Sequence, residues 1–284
     1  MCELAGVTRS GYYRQWRERH PLQEETAVRD HIQKLALKNR HYGYRRIAAA
    51  LRREGFCINH KRVHRIMQED NLLCLRKKGF VPATTQSNHR FAVWPNLAKR
   101  LAPMAIDQLW VADITYIRLN EAFVYLAIIL DAFSRRVIGW ALQDHMRAEL
   151  TLEALRMALE TRLVTPGLVH HSDRGVQYAC PAYIETLQAH NIQPSQSRPG
   201  CPYDNAMAES FMKTLKHEEI DASQYRDIDH LRRAMVEFLE TNYNKTRLHS
   251  ALGYSPPEEY EKLTALPINI KTPKLDYTAN PQSP

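Results

Sequence analysis

Three apolar runs, residues 109–119, 123–130 and 136–142, succeed one another with only short polar breaks around Asn120 and Ser134. No other feature constrains the fold as tightly. Each run has the length of a strand, and the breaks are too short for a crossover, so the three are expected to pair antiparallel as neighbours. Beyond them the pattern alternates between helix and strand. A helical stretch at 148–163 leads through a Pro166-Gly167 turn to a short apolar strand at 168–170. A helix at 182–190, a brief segment near Ile192, and longer helices at 205–219 and 228–243 complete the region. Strands first, then alternation, give an α/β domain with a mixed sheet and flanking helices.

The amino-terminal part has another texture. Residues 44–54 carry Ile47, Ala50 and Leu51 at helical spacing, and Gly55 ends the segment. Asn59 caps a second helix, with Val63, Ile66 and Met67 inward and Lys61, Arg62 and Arg65 outward. A short helical pair whose second member is basic resembles a helix-turn-helix that reads DNA. Charge supports the division. Residues 1–100 hold 21 Lys+Arg against 8 Asp+Glu, a net of +13, whereas the remainder is at −5 within a chain total of +8. A basic module joined to a mildly acidic one points to a polyanionic partner. The expected plan is a helical, basic, all-α region at 1–75, a basic linker at 76–103, a core at 104–262 and a poorly ordered tail at 263–284. The longest apolar run, residues 122–130, is about half of what a membrane-spanning helix needs. MCELAGVTRSGYY has no leader character, and the five cysteines contain no CxxC, so a cytoplasmic chain with free thiols is expected.

Three carboxylates stand out. Asp113 interrupts an apolar strand in LWVADITYI, a costly place unless something compensates it. Asp173 comes just after the short strand in LVHHSDRGVQY, at the carboxyl edge where open α/β sheets build their sites. Glu209 lies in the first turns of a helix, in DNAMAESFMKTLKHE; 59 residues separate the two aspartates and 35 separate Asp173 from Glu209. Singly, each has a structural explanation: an ion pair, a cap, a solvated helix face. Jointly they are the oxygen donors that hard divalent cations take from separate elements, and two such ions activate attacking and leaving oxygens at phosphorus. On the same helix Lys216 points within about 20° of Glu209, with Asn205 and Lys213 nearby, while Met207, Ala208, Phe211, Met212 and Leu215 face the core.

These blocks resemble the polynucleotidyl transferases that include transposases and retroviral integrases. They are most similar to the second-frame product of the insertion-sequence-three family of bacterial transposases. DQLWVADITYI, HHSDRGVQY, YDNAMAESFMKTLK and NYNKTRLHSALGYSPPEEY carry the likeness, with GVTRSGYY and HYGYRRIAAALRREG at the amino-terminal side. The resemblance implies a ribonuclease-H-like core with a mixed five-stranded sheet, preceded by the helix-turn-helix-like domain. It implies Asp113, Asp173 and Glu209 as catalytic ligands of two Mg²⁺ ions, Mn²⁺ substituting, and Lys216 as a DNA contact. Lys213, Asn205, Arg174, Lys61, Arg62 and Arg65 are the further expected DNA contacts. The implied reaction frees a 3′-hydroxyl at an element end and joins it to target DNA. The implied partners are element-end and target DNA, further copies of the chain, and an upstream-frame product with a helix-turn-helix and leucine zipper, fused or separate. No membrane is involved.

Other features read as structural. Cys57, His60, His64 and Cys74 are in the wrong order for an integrase zinc site. His170 and His171 suit strand packing, and Ser255 with Glu258 reads as a capping box. Arg247 and His249 sit in a basic loop with DNA contact and structure equally open. Two rival functions remain: a DNA-binding regulator without catalysis, which has no use for the three carboxylates, and a ribonuclease-H-like nuclease that only hydrolyses.

Overall fold

The computed structural model describes residues 23–74, 91–119, 122–198 and 201–265. The GVTRSGYY block, the linker stretch 75–90 and the tail from 266 lie outside the described residues. The chain divides into two compact units, Met1–Gly79 and Phe80–Pro284.

In the first unit, α1 (Gln23–Lys38), α2 (Tyr44–Arg53) and α3 (His60–Glu69) enclose Ile32, Ile47, Leu51, Val63, Ile66 and Met67. Asn59 Oδ1 accepts the Lys61 amide at 2.9 Å, the expected cap. Gly55 adopts φ +91°, and the Phe56 amide reaches back to the Leu51 carbonyl at 2.9 Å, so the joint needs glycine. His60 and His64 pack on the Tyr44 ring, with centroids 6.1 and 4.6 Å away.

The second unit is built on a five-stranded sheet ordered β3-β2-β1-β4-β5. Its strands are β1 (Leu109–Arg118), β2 (Phe123–Asp131), β3 (Val137–Gln143), β4 (Val169–Ser172) and β5 (Gln193–Gln196). The first three pair antiparallel, as their short connections require, and β1, β4 and β5 run parallel. Helices α4 (Ala148–Thr161), α5 (Val176–Ala179) and α6 (Pro181–Ala189) cover one face, burying Trp110, Ala112 and Ile129 against Leu150, Ala154 and Tyr183. Helices α7 (Ala206–Leu215) and α8 (Ile228–Val236) cover the other, where Val111, Ile128 and Leu130 meet Phe211, Leu215, Leu231 and Met235. Gly139 lets α4 approach β3 closely: a Cβ there would lie 2.2 Å from the Ala154 carbonyl.

Sequence and structure part in several places. The expected long helices change pitch, α7 continuing as a π-helical turn at Lys216–Ile220 and α8 at Glu237–Thr246. Residues 91–103 are not a bare connector. The Trp94 amide donates to Gln196 Oε1 at 3.1 Å and the Leu97 amide to Ser195 Oγ at 2.9 Å, laying the segment along β5. The carboxyl-terminal helix α9 (Pro257–Ala265) begins after Pro256, whose carbonyl accepts the Tyr260 amide. The Ser255 amide donates to the Leu252 carbonyl and Glu258 Oε1 accepts Lys262, so the reciprocal half of the expected capping box does not form.

A polar network joins α9 to the opening of the sheet. Glu261 pairs with Arg162 and with Arg136 at 2.8 Å, and accepts the Ser134 hydroxyl at 2.7 Å. Asp131 accepts the amides of Ser134 and Asp107, and Asp107 accepts the Trp110 indole N–H at 2.9 Å. The carboxyl of Asp131 is raised by its burial against those hydrogen bonds. That of Glu261 is held below the usual range: burial pushes it up, but bonds from Arg162, Ser134 and Arg136 outweigh that.

Candidate active site

The site begins with a mismatch in strand length. β4 pairs only with Leu109–Val111 of β1 and ends at Ser172, whereas β1 runs on to Arg118. Val111 stands beside His171. Two residues further along the same register Asp113 comes level with Asp173, on strand axes about 4.8 Å apart. Residues of this parity on β1, Leu109 and Val111, face α7 and α8. Two carboxylates therefore meet where the parallel ladder stops.

Their environment disfavours two negative charges. Asp113 Oδ1 accepts the Ile114 amide at 2.9 Å. Burial first, and then the Asp173 carboxylate, push the Asp113 pKa up to about 7; Glu209 adds to the rise, while the Ile114 amide and Lys216 oppose it. Asp173 Oδ1 accepts the Gly175 amide at 2.9 Å, and a Cβ on Gly175 would sit 3.0 Å from that oxygen. Glycine thus permits the turn that presents Asp173. A recess of about 370 Å³ opens beside both aspartates, with Tyr116, Phe123, Tyr125 and Met146 on its apolar side.

Glu209 lies in the first turn of α7, and its partner is Lys213, at 3.8 Å. It acts on Asp113 through its charge but does not line the recess. Among the described residues no three His, Cys, Asp or Glu side chains stand together as a ready cation cage. The structure thus brings the two aspartates together and sets Glu209 on the adjoining helix. Lys216 Nζ lies 5.2 Å from the centre of the Tyr116 ring. Asn205 is buried, and its Nδ2 donates to the Ala112 carbonyl at 2.9 Å, one residue before Asp113. That tie anchors the start of α7 to β1, instead of offering the amide to a phosphate. Arg174 Nε donates to the Ser197 carbonyl at 2.8 Å, and Lys213 is exposed. In the first unit Lys61 and Arg62 are exposed, and Arg65 lies 3.7 Å from Glu69.

The histidines before Asp173 pack within the core. His170 Nε2 meets the Tyr183 hydroxyl at 3.0 Å, and His171 lies between Ser195 and Ser197 at 2.8 and 3.0 Å. Burial, reinforced by His171, lowers the His170 pKa to about 3; burial likewise lowers that of His171 to about 4, despite Asp204, so both are neutral at pH 7. Arg247 is buried in a two-pronged pair with Glu218 at 2.7 and 2.6 Å, beside His249. The structural alternative for that loop is the one observed. Sequence reasoning missed the aromatic wall of Tyr116 and Phe123, although their places on the β1–β2 hairpin were readable, and the tie made by Asn205.

Residues 105–202 match an integrase core domain family, residues 190–257 a second integrase core domain family, and residues 23–80 an HTH-like domain family. The chain is 38% identical over 276 residues to the insertion element IS600 uncharacterized 31 kDa protein of Shigella sonnei, covering 93% of this chain and 100% of that one. It is 34% identical over 267 residues to the transposase InsF for insertion sequence IS3A of Escherichia coli (strain K12), covering 92% of each. Among solved structures, the simian T-cell lymphotropic virus intasome in complex with PP2A regulatory subunit B56 gamma is similar at TM-score 0.49 and 14% identity, over 83% of this chain and 76% of that chain. No helix among the described residues is long and apolar enough to cross a membrane.

Proposed function

Because the chain belongs to the IS3 family of insertion-sequence transposases, with a ribonuclease-H-like integrase core, we propose that it is a metal-dependent polynucleotidyl transferase that cuts element ends and joins them to target DNA. In the first step water attacks phosphorus at the element end, and the 3′-oxygen leaves with a proton. In the second, that 3′-hydroxyl attacks a target phosphodiester and displaces the target's own 3′-oxygen. Each step exchanges one phosphorus–oxygen bond for another, so neither ATP nor a covalent protein–DNA intermediate is required. Water and the 3′-hydroxyl serve as alternative nucleophiles in one site.

The observation that carries this reading is the meeting of Asp113 and Asp173 where the β1–β4 ladder stops, with α7 presenting Glu209 on the adjoining element. Three carboxylates from three elements are a fitting donor set for Mg²⁺, with Mn²⁺ able to substitute. An Asp113 pKa pushed up to about 7 marks a site short of positive charge. Asp113, Asp173 and Glu209 would hold two such ions. When bound, they supply Lewis-acid stabilisation of the attacking and leaving oxygens. The protein's own part is positioning. Gly175 fixes the Asp173 carboxylate, Asn205 holds α7 against β1 beside Asp113, and Lys216, Lys213 and Arg174 serve the phosphates around the cut.

The helix-turn-helix-like region at 1–75 contributes Lys61, Arg62 and Arg65 to DNA, and 76–103 links it to the core at 104–262. Bringing two element ends together requires a homo-oligomer on DNA. An upstream-frame product with its own helix-turn-helix and leucine zipper is the proposed companion, fused or separate. The setting is the bacterial cytoplasm.

The test is a labelled, branched element–target DNA incubated with Mn²⁺ and either the wild type or Asp173→Asn. Strands joined or released by the wild type alone are expected. Nicks without joined products would make the protein a hydrolase. Binding without chemistry, even with the upstream product fused, would make it a regulator. Equal products from both proteins would remove the carboxylates from the mechanism.

A further inference from the structure

The recess beside the aspartates has a second character. Beyond Asp113 the β1–β2 hairpin places Tyr116, Phe123 and Tyr125 on one face: Tyr116 pairs across the ladder with Tyr125, and Arg118 with Phe123. Phe123 is 50% exposed and Met146 38% exposed, in a part of the molecule where most large apolar side chains are buried. Tyr116 and Phe123 meet edge to face with centroids 5.6 Å apart, and Lys216 Nζ stands 5.2 Å from the Tyr116 ring. The volume of about 370 Å³ is at the low end of the roughly 300–1,000 Å³ typical of small-ligand sites.

One exposed ring beside a half-buried one, a lysine over the latter, and two carboxylates lining the same recess are an unusual combination. An aliphatic or protein partner would explain the rings but not the charges at either side of them. A nucleotide explains both, because a base offers a π-face of any sequence and its phosphate needs a cation nearby. Tyr116 lies three residues along β1 from Asp113, on the other face of the strand, and the recess beside the length of β1 that β4 leaves unpaired is lined by both. A base resting on that ring keeps its sugar–phosphate within reach of Lys216 and the carboxylates.

We propose that Tyr116 and Phe123 form a stacking subsite for one unpaired nucleobase at the DNA end, with Lys216 neutralising its phosphate. This rests on the transposase reading above and deepens it. The base leaves its stack in the duplex, rests on the rings, and thereby holds the adjacent phosphodiester still at the aspartates. Tyr116 and Phe123 are binding residues for that base. They carry no proton in the reaction.

The test uses the full chain and element-end duplexes carrying 2-aminopurine at each terminal position in turn, a base whose fluorescence responds to unstacking and restacking. With the wild type, one near-terminal position is expected to change on binding. Phe123→Ala and Tyr116→Leu should abolish that change and lower joining about tenfold, while Tyr116→Phe keeps both; thermal melts confirm that the variants are folded. Wild-type fluorescence and joining in Phe123→Ala and Tyr116→Leu, with Asp113→Asn inactive, would overturn the subsite and leave the active site standing. If the wild type joins nothing even with the upstream product fused, the transposase reading fails, and the fluorescence change in the wild type and Asp113→Asn still decides the stacking. A loss of self-association in Phe123→Ala, with the fluorescence change intact, would assign this face to a second copy and overturn the subsite.

Discussion

The sheet carries two groups of buried or half-buried acids, and Glu261 in one and Asp113 in the other shift in opposite directions. At the start of β1, Glu261 is met by Arg162 and Arg136 and by the Ser134 hydroxyl, and its pKa lies below the usual range. Nearby Asp131 accepts two amides and the same hydroxyl, yet burial outweighs them and its pKa is raised. A few residues along the same strand Asp113 faces Asp173, and its pKa rises to about 7. Glu261 on α9 and Asp113 on β1 are both pushed up by burial, so burial alone does not explain the difference. The bonds that Glu261 receives from Arg162, Ser134 and Arg136 do. Acids supplied with arginines staple a distant helix to the core. Asp113, raised first by burial and then by Asp173, marks a place for a cation from outside.

Breaking either side of this contrast should have separable effects. The largest concerns the recess: Asp113→Asn is expected to reduce strand joining by at least about a thousandfold. Because it removes a charge that burial disfavours, its melting temperature without divalent cations should equal or exceed that of the wild type. Next comes the network. Arg162→Met leaves Glu261 in a buried site short of charge and should cost about 3–5 kcal/mol of stability, read by thermal or urea unfolding. Joining by the protein that remains folded should persist. The pH dependence of stability sharpens the same point. Glu261 has a depressed pKa in the folded state, so its contribution is complete above the unfolded carboxylate value and is lost as pH falls through the folded one. A Glu261→Gln variant should therefore show a stability gap to the wild type at neutral pH that narrows on acidification. Smallest is Asn59→Ala, which removes the α3 cap and should cost about 1 kcal/mol in the helical unit, with the sheet unit unaffected.

Local pattern made much of this legible. The brevity of the breaks at 120 and 134 leaves antiparallel pairing as the only choice for the first three strands, and that is what forms. The apolar arc of Ala208, Phe211, Met212 and Leu215 faces the core as its spacing requires. Asp113 was conspicuous because a carboxylate in an apolar strand has few structural excuses. The features that stayed hidden depend on distance along the chain. Arg247 was readable only as a basic loop residue, since Glu218 stands 29 residues away. The bond from Ser134 to Glu261 spans 127 positions and leaves no local trace. Asn205 reads from the sequence as a DNA contact beside Lys213, and its bond to the Ala112 carbonyl, 93 positions away, leaves no local trace. The π-helical turns arise from packing, which a fixed angle of 100° per residue does not anticipate.

The central claim is that Asp113 and Asp173, which meet where the β1–β4 ladder stops, take a cation. Thermal unfolding with and without Mg²⁺, in wild type, Asp113→Asn and Glu261→Gln, tests it most directly. A ligand that binds only the folded state raises its stability. The account predicts a magnesium-dependent rise in the wild type and in Glu261→Gln, and none in Asp113→Asn. An equal rise in all three, or none in the wild type, would contradict it.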